Sequence, residues 1–285
     1  NIHTYTNQTG YGGVIFVHGN SGEISLLTLN NTDFINNGII TSGNNAHGGT
    51  IYTEQYNNIN IDSCTFEGNF LQTNGAAYGG AIFNGNYGTL DITNSQFLNN
   101  GKRLIDQYSL VDHGAAIWTG AIDISITESV FDNHSSSSNG GAIYFDSDVE
   151  SLEINESSFT NSSSGNSGGT LYFENNNNNV SIHNSSFENS TASAHGGAIF
   201  TYPNSTIKAY ESSFNNNSAH YNGGAIYFEG TRVDTLHLFD SFVDGNTTTA
   251  GDGGAIYMYN SSSENESELK ISHSSVSNNN SATNK

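Results

Sequence analysis

The sequence predicts an all-β chain folded as one parallel β-helix, a solenoid of about nine coils spanning residues 1–285. Three observations predict it. A Gly-Gly motif recurs nine times, a phenylalanine element follows each copy, and several columns of residue type keep a constant offset from that phenylalanine.

The first motif is fullest in Asn222-Gly-Gly-Ala-Ile-Tyr-Phe-Glu-Gly230. Its copies begin at Gly12, Gly48, Gly79, Gly114, Gly140, Gly168, Gly196, Gly223 and Gly253, at intervals of 26 to 36 residues. One copy is degenerate, Gly114-Ala-Ala-Ile-Trp118. The second motif reads Phe-x-x-Asn at Phe34, Phe66, Phe97 and Phe214, with Val243 and Val276 in the same slot. Five residues before this Phe or Val stand Leu29, Ile61, Ile92, Ile126, Ile154, Ile182, Ala209, Leu238 and Ile271, and seven before it stands another aliphatic column from Leu27 to Leu269. Two before it runs a small polar column, Thr32, Cys64 and then serine from Ser95 to Ser274.

Aliphatic residues two apart point to one face of a strand, and Gly-Gly punctuates the start of another. A unit of two or three short strands cannot bury its own apolar face. Stacked units can, and their strands then pair in parallel. At ~4.8 Å per rung the core would be roughly 43 Å long. Stacking also lines like residues into columns. The residue two after the Phe or Val is Asn in seven copies, Asn36 to Asn278, and an amide ladder is expected there, side chain to side chain along the axis.

The composition narrows function. Lys plus Arg number 6 against 27 Asp plus Glu, a formal charge of −21. That excludes nucleic acid, whose phosphates need cations, and anionic membrane surfaces. No apolar run approaches a membrane span, so this segment is expected to insert in no membrane. A single cysteine, Cys64, forms no disulfide within the chain. The chain opens at Asn1 without Met or a signal peptide, and is read as a mature or excised segment.

Tandem "GGAI" and "FxxN" motifs over residues 12–279 resemble the polymorphic membrane proteins of chlamydiae and related adhesin-like β-helices. The resemblance implies a right-handed parallel β-helix on a cell surface, working as an adhesin passenger. The C-terminal membrane barrel of the chlamydial proteins has no counterpart in "NSATNK".

A catalytic reading finds little support in the residues. Polysaccharide-cleaving β-helices place several Asp on one face beside Arg or Lys, whereas the six cations here are scattered. No cofactor is expected. Asp146, Asp148 and Glu150 offer oxygen ligands of the kind Ca²⁺ takes, but without EF-hand spacing they read as a solvated acidic turn. His47, His113 and His195 share the slot before Gly-Gly but fall at least two coils apart. That is ~10 Å, far beyond metal-bond length, so they read as turn or surface histidines. Cys64 reads as a small side chain in the serine column.

The more informative column is aromatic: Phe16, Tyr52, Phe83, Trp118, Tyr144, Tyr172, Phe200, Tyr227 and Tyr257, each preceded by Ile or Leu. Period two sends these columns to opposite faces. With the aliphatics inside, an aromatic ladder runs along the outside, able to grip glycans or a neighbouring rod. The reverse assignment stacks the rings in the core. Tyr and Trp in six of nine copies favour the outside, where polar tips reach water. An insertion before Gly114, "GKRLIDQYSLVDH", carries Lys102 and Arg103 and is either a binding loop or a tolerated insertion. There are 14 Asn-x-Ser/Thr sequons. Asn7, Asn155, Asn184, Asn204, Asn260 and Asn265 are the candidate glycosylation sites, whereas a sugar at Asn161 or Asn189 would interrupt the expected corner ladder. The sequence thus points to a non-catalytic, extracellular or cell-surface β-helix, an adhesin rod or fibre subunit. Its expected partners are glycans or proteins of another cell, or other copies of itself. A polysaccharide-binding or polysaccharide-degrading β-helix is the alternative.

Overall fold

The computed structural model describes residues 2–19, 25–42, 45–101, 111–177, 179–230, 233–260 and 266–282. They form a parallel β-helix. Strands are stacked into sheets of nine, ten, nine and nine, plus a three-stranded sheet near the N-terminus, close to the nine coils expected. A full coil uses four strands rather than two or three. A short one precedes Gly-Gly, as at Gly10–Tyr11. The first face follows Gly-Gly, from Ile15–Val17 to Ile256–Asn260. The second runs from Ser25–Asn30 to Glu268–Ser272 and the third from Asp33–Ile35 to Ser275–Ser277.

The predicted columns lie in register. Ile92 pairs with Ile61 and Ile126, and Phe97 with Phe66 and Phe131. Both are fully buried in one continuous core. From Phe34 to Phe214 the rings of the third face stack at centroid spacings of 4.6–5.1 Å, the rung spacing itself. The serine column is a hydrogen-bond ladder. Ser157 N–H donates to Ser185 Oγ at 3.0 Å, while Ser157 Oγ donates to the Asn155 carbonyl at 2.8 Å. Cys64 fits the same pattern: its N–H donates to Ser95 Oγ and its Sγ to the Asp62 carbonyl.

The corner ladder is displaced by one residue from its expected position. The residues two after the Phe or Val, Asn36, Gly68, Asn99, Asn133, Asn161, Asn189, Asn216, Gly245 and Asn278, have φ between 52° and 65°. Left-handed backbone favours Gly first and Asn next, so this alternation of Asn with Gly is a backbone requirement. The amide ladder is the next column, which is buried. Asn69 N–H and Nδ2 both donate to Asn100 Oδ1, at 3.0 and 2.9 Å, and Nδ2 also reaches the Phe34 carbonyl. Consequently Asn161 and Asn189 are exposed, while the sequon residues Asn246 and Asn279 are held in the ladder, Asn246 at 0% exposed. His134 takes an asparagine place in it: Asn100 N–H donates to Nδ1 at 3.2 Å and Nε2 lies 3.1 Å from the Phe97 carbonyl.

A third column was not anticipated. The third residue of each Ile15–Val17-type strand also points inward. It is Phe in Phe145, Phe173 and Phe228 but polar in Thr53, Asn84 and Thr119, all buried. Those three are joined across the coils, Thr53 Oγ1 donating to Asn84 Oδ1 and Asn84 Nδ2 to Thr119 Oγ1.

Candidate binding face

The aromatic column lies on the outer side of the first face, back to back with the buried aliphatic column. Its rings stack along the axis, at 4.9 Å for Tyr52–Phe83, 4.1 Å for Phe83–Trp118, 5.2 Å for Tyr144–Tyr172 and 5.3 Å for Tyr227–Tyr257. Though outside the core, the ladder is sheltered. Trp118, Tyr144, Tyr172, Phe200 and Tyr227 are only 4–9% exposed and form a separate apolar cluster with Tyr78, Phe83, Tyr202 and Tyr257. Phe16, at the first rung, is 49% exposed.

Two flanking columns give the shelter. On one side stand the residues before Gly-Gly. His47 and His113 pack against Tyr78 at 5.2 and 5.4 Å, and His195 against Tyr227 at 4.5 Å. These histidines pack as half-buried ring spacers rather than surface groups. Burial pushes His47 down to about 4 and lowers His113 and His195. On the other side stand the residues two after each ring. Glu174 accepts a bond from Tyr144 Oη at 2.8 Å and Glu229 one from Tyr227 Oη at 2.7 Å. Burial, then these carboxylates, push both phenols far above their ordinary range.

The flank is open at one place. In two successive coils its residue is glycine, Gly85 and Gly120. A Cβ at Gly85 would stand 2.6 Å from the Glu54 backbone, and one at Gly120 would collide with the Asn86 side chain. The gap is a groove of about 400 Å³ lined by Tyr52, Phe83 and Trp118, with Glu54, Gln55 and Asn86 also on its wall. Glu54 is held 2.7 Å from His18 Nδ1, and burial, then Glu54, raise the Tyr52 phenol to about 12. A second groove of about 310 Å³ lies around the adjoining corner, beside Tyr56 and Tyr87. These two tyrosines stack at 5.2 Å and both hold positive φ, 60° and 64°.

Other predicted positions are dispersed. Lys102, Arg103 and Asn265 lie outside the described residues. Asn7 and Asn184 are exposed, while Asn155, Asn204 and Asn260 are partly covered; Asn204 Nδ2 donates to Asn176 Oδ1. Asp148 accepts from Asn176, and Asp146 is half-buried with its carboxyl raised by burial and by Glu174. Among the described residues, no group of three or more His, Cys, Asp or Glu is arranged to hold a metal ion.

The motif resemblance has a local match in sequence. Residues 211–229 match the Chlamydia polymorphic membrane protein repeat. They run from the left-handed corner at Glu211 through the Phe214 rung to the strand Ile226–Gly230, the part of one coil between the phenylalanine motif and the next Gly-Gly strand. Comparison with curated proteins and with solved structures gives no match.

Proposed function

We propose that this β-helix is the non-catalytic rod of a cell-surface adhesin. The observation that carries the reading is the polymorphic membrane protein repeat at residues 211–229, set in a stack whose other coils keep the same columns in register. Consecutive rungs share one buried core, so the rod is stiff without disulfides and presents its outer columns as a long lateral face. Glycans or proteins of another cell are the partners this face would meet. Exposed sequons such as Asn7 and Asn184 are the places for N-linked sugars in a host that makes them. The described Lys208 and Lys270 sit on the second face, away from the acidic flank of the first, which supports a non-catalytic role.

Beads coated with the purified chain should adhere to a panel of epithelial cells, and soluble chain should compete. Failure to adhere to any cell type would count against the adhesin. A fibre reading, in which copies of the rod stack head to tail, is the alternative. Negative-stain electron microscopy across concentrations separates the two, continuous filaments favouring the fibre and discrete short rods the adhesin. Release of reducing ends from a polysaccharide panel would overturn the non-catalytic reading.

A further inference from the structure

We propose that the groove over Tyr52, Phe83 and Trp118 is a binding site for a neutral saccharide; this rests on the adhesin reading and names its ligand class. Along most of the ladder a side chain closes the flank, Asp146, Glu174, Tyr202 and Glu229 in turn. At Gly85 and Gly120 it is missing in adjacent coils: the Glu54 backbone leaves no room for a Cβ at Gly85, and Asn86 takes the room at Gly120, so that of the two it is Gly85 that lines the groove. The opening is therefore built into the packing, and it uncovers rings on one side of the stack.

The lining matches one kind of molecule. Its aromatic residues are suited to the C–H surface of a sugar ring, whereas Gln55, Asn86 and Glu54 add amide and carboxylate residues to its lining. Amides donate and accept at once, as vicinal hydroxyls require. A pocket with an apolar floor and a few polar groups at fixed positions is the usual form of a small-molecule site, and about 400 Å³ falls at the small end of the ~300–1,000 Å³ range. One or two sugar rings fit that space.

Charge selects among sugars. The lining includes no Lys or Arg, its ionisable wall group is Glu54, and the whole chain carries −21. Sialylated and sulfated glycans would be repelled. Neutral hexoses and N-acetylhexosamines would not. The polar run Thr53–Asn84–Thr119 lies behind the groove on the inner side of the same strands, and its hydrogen bonds fix the backbone that carries the three rings.

The test has a built-in reporter, because Trp118 is the single tryptophan of the chain and lines the groove. Oligosaccharides of glucose, galactose, mannose and N-acetylglucosamine, with sialylated and sulfated counterparts, are titrated while tryptophan emission is followed. At least one neutral probe should change the emission saturably at millimolar concentration or below, and the anionic ones should not. Gln55→Ala with Asn86→Ala should weaken binding at least tenfold with an unchanged circular dichroism spectrum and melting temperature. Silence across the neutral panel, or equal binding by the double variant, overturns the site. Preference for the anionic probes overturns it as well. If coated beads adhere to cells while the sugars leave Trp118 silent, the adhesin stands and the groove falls. If the sugars bind and the beads do not adhere, the reverse holds.

Discussion

His134 makes the rod acid-sensitive at one identifiable rung. It replaces an asparagine in the buried amide ladder and is 1% exposed. Its hydrogen bonds require a neutral ring: Nδ1 accepts from Asn100 N–H, so Nε2 carries the hydrogen donated to the Phe97 carbonyl. Protonating Nδ1 would set a donor against the Asn100 N–H in a buried site. Burial accordingly pushes His134 from 6.5 down to about 4, although Asn100, Phe97 and Asp132 oppose the shift. The folded value is depressed, so the unfolded chain binds the proton first and stability falls as pH drops from 6.5 to 4, levelling off below. At 1.36 kcal/mol per pH unit, the loss at pH 4.5 is about 2.5 kcal/mol. Urea unfolding followed by circular dichroism at pH 7.5 and pH 4.5 measures it. His134→Asn restores the ladder's own residue and should remove that ~2.5 kcal/mol of the pH dependence, leaving the parts due to His47, His113, His195 and Asp234. An unchanged pH dependence in that variant would refute the assignment.

Asp234 should act with the opposite sign. It is 1% exposed, its Oδ1 accepts from Ser205 N–H, and burial raises it to about 6, so it destabilises the fold when charged and ceases to as pH falls from 6 toward 3.8. Asp234→Asn should raise stability at pH 7.5 by about 1–2 kcal/mol, allowing for screening by nearby solvent, and leave it unchanged at pH 3.5. Phe159→Ala removes a fully buried ring stacked at 4.8 Å on both Phe131 and Phe187 and should cost about 3–5 kcal/mol in the same unfolding assay. At Asn161, with φ of 54°, Gly should be tolerated within about 0.5 kcal/mol, whereas Val should cost about 1–2 kcal/mol; equal effects of the two would show that backbone conformation is not what the position selects.

Much of this fold is legible in one chain because the repeat compares itself with itself. Parallel stacking sets like positions one above another, so the aliphatic, phenylalanine and serine columns can be read by counting from Phe34, Phe66 or Phe97, and the structure pairs them as counted. The period also sends the two columns of the first face to opposite sides, while it is the tyrosines and the tryptophan that favour the aromatic column outside. The Asn and Gly at Asn36 and Gly68 carried the signal of a left-handed corner, since no amide ladder would accept Gly in two copies. The amide ladder sits one residue later, at Asn37 and Asn69, where His134, Ser162 and Ser190 obscure the column.

What the tertiary structure decided is how one column covers another. Whether the aromatic ladder is open or sheltered depends on side chains of neighbouring coils as well as of its own, such as Glu174 against Tyr144 from 30 residues away, and the offset of two within one repeat does not report that. The groove arises where Gly85 leaves the flank without a side chain beside Tyr52, Phe83 and Trp118. The neutral state of His134 comes from burial in a ladder whose members each look unremarkable in the sequence. Residue order sets which side chains share a column. Only the stacked coils set which columns touch water, because burial and desolvation belong to the assembled neighbours and not to any one repeat.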